Sequence, residues 1–145
     1  MKFNHLEGYE SVTLPTETIN GKRYYVTPDG NKYPSVTTVT GLHSAKWVAK
    51  WRKNVGEEVA NKISSQAAGR GSRYHYLMED YINNMDITEK LEKATPIDQM
   101  MFNQTKELTD KIGDIYMLEG SLYSDDLAIA GRVDCIAEFA GKVSV

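Results

Sequence analysis

Ala68-Gly69-Arg70-Gly71-Ser72-Arg73-Tyr74-His75-Tyr76-Leu77-Met78-Glu79 and, further along, Gly131-Arg132-Val133-Asp134 are the stretches on which the reading of this chain turns. In and just beyond the first, Tyr74, Leu77, Met78 and Tyr81 recur at the spacing of an amphipathic helix. On that helix His75 and Glu79, four apart, lie one turn above the other on the same face, which suits two ligands or a ligand and its orienter. A surface hydrogen-bonded pair is the ordinary alternative. The second stretch sits in a strand-like run of apolar and small residues, 129–137, that Asp134 interrupts. A carboxylate there costs free energy unless it is paired, solvated or bound to metal. Alternation puts Asp134 on the face of Arg132 and Ile136, so an ion pair with Arg132 or Lys142 is the plain alternative. Gly131 beside it marks a close approach of backbone.

Outward from these stretches the chain is helical first and extended last. Lys22–Val26 and Lys32-Tyr33 flank the turn cluster Thr27-Pro28-Asp29-Gly30-Asn31 and predict a hairpin. Ser35 can cap a short helix over Val36-Thr37-Thr38-Val39, although that β-branched run also suits a strand, and Ser44 caps a second helix that carries Trp47 and Trp51 on one face and Lys46, Lys50 and Lys53 around the other. Residues 57–84 predict two more helices meeting near Arg70, because Gly69 and Gly71 interrupt the pattern. Gly71-Ser72 would then open a helix whose free N–H groups, with Arg70 and Arg73, favour phosphate, or serve as a simple cap with two solvated arginines. Thr95-Pro96 starts a last helix with Gly113 as its stop. From Ile115 onward three strands in close succession predict an antiparallel meander. The fold class is α/β in the mixed α+β sense, helices packed on a sheet, in one domain spanning 1–145.

With 17 basic and 20 acidic residues the net charge is −3, which argues weakly against a non-specific nucleic-acid binder. The distribution matters more: residues 1–75 hold 11 Lys/Arg against 6 Asp/Glu, residues 76–145 hold 6 against 14. The front suits phosphates and the back suits cations. No apolar run approaches the roughly 20 residues of a membrane span, and no secretory signal opens the chain, so a cytoplasmic protein without membrane contact is expected. A single cysteine, Cys135, excludes an internal disulfide and an all-cysteine metal cage and reads as a small buried hydrophobe.

In order and setting these pieces resemble the PD-(D/E)XK nuclease superfamily, in its RecB-like branch of phage exonucleases and mitochondrial genome maintenance exonuclease. The likeness takes in Tyr33-Pro34-Ser35-Val36-Thr37-Thr38-Val39, the Trp51 helix, Gly56-Glu57-Glu58, Arg70-Gly71-Ser72 with His75 and Glu79, and Gly131-Arg132-Val133-Asp134. The resemblance implies a restriction-endonuclease-like core and a phage or bacterial metal-dependent DNA exonuclease acting on single-stranded ends. It makes His75 and Asp134 metal ligands for Mg²⁺ or Mn²⁺, with Glu79 holding His75 or a metal-bound water. Phosphate contacts would fall to Arg70, Ser72, Arg73, Lys50 and Lys53, with Lys46 and Arg52 beside them. Trp47, Trp51, Tyr74 and Tyr76 are candidates for stacking on bases, although such residues are more often core. Ser72 stands where the family often has threonine, a change that keeps the hydroxyl. The family also needs an acid and a lysine, as Asp-x-Lys or Glu-x-Lys, on the strand that Val143-Ser144-Val145 opens, and the sequence stops there. The expectation is therefore either a fragment of a nuclease or a truncated relative, and the alternative function is a non-catalytic nucleic-acid-binding or interaction module on the same fold.

Overall fold

The computed structural model describes residues 2–9 and 11–145. The expected hairpin forms between β2 (Lys22–Val26) and β3 (Lys32–Pro34), Tyr25 opposite Tyr33, its turn closed by Thr27 N–H donating to Asn31 O at 2.9 Å. Asn20 and Gly21 both take positive φ, 51° and 74°, which folds a further strand, β1 (Thr16–Ile19), back onto β2. Exposed along its whole length, β1 has no alternation of buried and open positions by which the sequence could announce it.

Ser35 caps α1 (Val36–Val55) by accepting from Thr38 N–H at 3.0 Å. This helix is not short: it runs on through Ser44, whose hydroxyl donates back to Gly41 O at 3.3 Å instead of starting a second helix. Likewise α2 (Glu57–Ile82) is one rod and not two. Two interior glycines cost about 1 kcal/mol each relative to alanine. Good helix formers on both sides and the buried anchors Leu77 and Ile82 offset that cost. The true break is Gly56, at φ 86°, which turns α1 into α2. A single-turn α3 (Thr88–Glu92) precedes α4 (Pro96–Thr109), which Thr95 caps as expected. The helix ends at Asp110, and Gly113 lies inside the next strand.

That strand, β4 (Ile112–Ser124), pairs antiparallel with β5 (Ile129–Phe139), and β5 with β6 (Lys142–Ser144), so the meander is present. Among the described residues the chain is a mixed α/β fold of four helices and two three-stranded antiparallel sheets. Two apolar clusters hold it. Phe3, Ile82, Ile115 and Ala137 join the end of α2 to the β4–β5 sheet, while Leu14, Tyr25 and Ala130 join the front sheet to the other face of β5. Phe3, Tyr81 and Phe102 extend the first cluster edge to face.

α1 buries no side chain, and residues 41–50 and 61–69 are all exposed. The apolar Val59, Ile63 and Trp47 face solvent, Trp47 at 72%. No described helix is long and apolar enough to cross a membrane.

Candidate metal centre

The buried end of α2 stands against β4 and β5 and brings His75 to them. Its Nε2 lies 2.9 Å from Glu119 Oε1 of β4 and 3.9 Å from Glu79 Oε2 one helical turn on. Glu119 lies between the pairs Leu118↔Cys135 and Gly120↔Val133, so it faces Asp134 directly across the ladder. One ligand atom each from His75, Glu119 and Asp134 lies within 4.8 Å of the other two. The three line a cavity of about 440 Å³ that Tyr74, Met78 and Glu79 wall on the helix side.

Two carboxylates opposite each other on a strand pair repel. Glu119 is compensated: Arg132 Nη2 lies 2.7 Å from its Oε2 and His75 is at its Oε1. Asp134 is exposed and makes no hydrogen bond or ion pair among the described residues. The ion pair to Arg132 that the sequence allows goes to Glu119 instead. A nitrogen and two carboxylates facing a common space, one carboxylate unpaired, fit a divalent cation with water completing its shell.

Glu119 is the member that sequence reasoning missed. Its signal is of the same kind as Asp134's, an acid inside the mostly apolar run 115–123 and immediately before a glycine. Glu79, by contrast, is half-buried beside His75 and outside the three-residue group.

The other expected residues are dispersed. Gly71 and Ser72 lie in the middle of α2, so their N–H groups belong to the helix ladder and the anion-binding helix end expected there does not exist. Arg73 donates to the buried Asp98 at 2.8 Å, tying α2 to α4, and Arg70 is half-buried nearby. The Arg73 guanidinium, then the Thr95 hydroxyl, holds the Asp98 carboxyl below the usual carboxylate range. Lys46, Lys50 and Lys53 are exposed on α1 without ion pairs among the described residues, while Arg52 closes the α1–α2 bend on Glu57 at 2.7 Å and on Asn61. Trp47 and Tyr76 are exposed, at 72% and 64%; Trp51 and Tyr74 are half-buried, with the Tyr74 hydroxyl on Thr105 at 2.5 Å. Cys135, expected to be buried, is half-buried beside the cavity, and desolvation there pushes its thiol up.

No protein-family model matches the chain. It is similar to mitochondrial genome maintenance exonuclease 1 of Xenopus tropicalis, 27% identical over 120 residues. That alignment covers 77% of this chain and 34% of the relative, so the chain spans about a third of that protein's length.

Proposed function

We propose that this chain is the metal-binding and DNA-holding part of a divalent-cation-dependent DNA exonuclease with a restriction-endonuclease-like core. The observation that carries the reading is the convergence of His75 and Asp134, singled out in sequence, with Glu119 on one cavity. The similarity to an exonuclease supports the same class of chemistry. Asp134 and Glu119 supply hard oxygen donors and His75 a nitrogen, a set that suits Mg²⁺ and, through the imidazole, Mn²⁺. When bound, such a cation neutralises phosphate charge and lowers the pKa of its water. The protein's own work is to aim these three side chains, with Glu79 beside His75 able to orient the ring or a water.

Substrate holding falls to the exposed α1. Lys46, Lys50 and Lys53 follow one another at helical spacing beside Trp47. Cations next to an exposed aromatic suit a single-stranded nucleic acid, whose phosphates meet the lysines while a base stacks on the ring. Arg70, Ser72 and Arg73 would contribute at most from the flank of α2.

Cation binding is the direct test, read by calorimetry with Mn²⁺. The wild-type protein should bind, and Asp134→Ala should weaken binding at least roughly tenfold with an unchanged circular-dichroism spectrum. Undiminished binding in that variant would overturn the site, and absence of binding by the wild type would overturn the metal-dependent reading.

A further inference from the structure

Arg132 does more to Glu119 than balance its charge. Its Nη2 takes Oε2 at 2.7 Å and its Nε donates to the Glu119 backbone carbonyl at 3.1 Å, so one guanidinium grips both ends of the same residue. Glu119 takes φ 51°, the left-handed region that a residue with a side chain adopts only when its surroundings impose it. Arg132 pairs with Ser121 across the ladder and reaches diagonally back to Glu119. The carboxylate is 15% exposed, and while Oε2 meets Arg132 its other oxygen, Oε1, lies 2.9 Å from His75 Nε2.

From this grip we infer that Arg132 sets the cation size the site accepts, by fixing Glu119 as a one-oxygen ligand. The inference rests on the cation-binding reading above. Magnesium demands near-octahedral geometry at about 2.0–2.1 Å and takes carboxylates through one oxygen, whereas calcium accepts both oxygens of a carboxylate at about 2.3–2.6 Å in a looser shell. With Oε2 held by the guanidinium, two-oxygen ligation by Glu119 would require turning the carboxylate against that ion pair, and the site discriminates against the larger ion. Arg132 is a positioning residue in this scheme. Its planar fork matters, because a lysine ammonium carries the same charge and cannot span a carboxylate and a backbone carbonyl together.

The test titrates Mg²⁺ and Ca²⁺ separately into the wild-type chain, Arg132→Lys and Arg132→Gln. The side chain is 55% exposed, so both variants should fold, as circular dichroism would check. Losing a positive charge in Arg132→Gln raises both affinities, and their ratio cancels that effect. The Mg²⁺ to Ca²⁺ affinity ratio should fall roughly tenfold in both variants. A ratio unchanged in both, with binding intact, overturns the role of Arg132 alone. A fall in Arg132→Gln that Arg132→Lys restores overturns it too, since charge and not the fork would then be responsible. Failure of the wild type to bind either ion overturns the cation-binding reading and this inference with it.

Discussion

Asp98 shows how much one side chain can join. It is 2% exposed, receives Arg73 from α2, and shares the Thr95 hydroxyl that also caps α4. Its folded-state pKa is depressed, so its ionised form stabilises the fold above the ordinary carboxylate value near ~3.9, and that contribution is lost as pH falls through the lower folded value. Asp98→Asn should therefore lower the thermal midpoint at neutral pH, with the gap to wild type closing in strong acid. Parallel melting curves across pH check it, and a gap that stays constant would show that shape, and not charge, is what matters there. The residues of the cavity divide along the same line between pattern and contact. Asp134 is legible in sequence because an acid breaks a strand pattern, whereas His75, four before Glu79, forms an ordinary helix pair and stands out only through the order of motifs around it. Glu119 breaks the strand pattern in the same way, but the strand register that sets it opposite Asp134 and the Arg132 grip are tertiary facts that no local pattern carries.

At the scale of elements, caps and turns are legible and continuity is not. Thr95-Pro96, Ser35 and the turn over 27–31 act where their chemistry says they should. Gly69 and Gly71 read as a break because propensity is local, whereas the helix through them is held by packing at its far end. The start of α1 has a similar double support. Ser35 caps it, and Val36 meets Gly131 so closely that a Cβ there would lie 3.3 Å from Val36 Cγ2. The close approach that Gly131 marks is thus the approach of this helix to β5. Ser35→Ala should cost about 1 kcal/mol in urea unfolding. An unchanged midpoint would mean that contact with β5 alone holds the helix start.

Across the whole molecule the charge asymmetry of the sequence becomes a spatial one. The cavity acids sit at the sheet, and the unpaired lysines sit on a helix that contributes nothing to either apolar cluster. Replacing Lys46, Lys50 and Lys53 by alanine should weaken binding of a single-stranded oligonucleotide. It should also flatten the dependence of log affinity on log salt by roughly 0.7 for each phosphate that is no longer neutralised. Fluorescence anisotropy over a salt series measures it, and an unaltered slope would remove α1 from the binding surface. Because α1 is solvent-facing along most of its length, such changes leave the folded body and the cavity of His75, Glu119 and Asp134 intact.

Both tryptophans of the chain, Trp47 and Trp51, lie on that one helix. The intrinsic indole emission of this protein thus reports on α1 and on no other element. Trp47 is open to aqueous quenchers and Trp51 is partly shielded. A titration with nucleic acid that extinguishes the accessible component would therefore report occupancy of α1 without any added label, unconfused by events at the cavity, which α1 does not line.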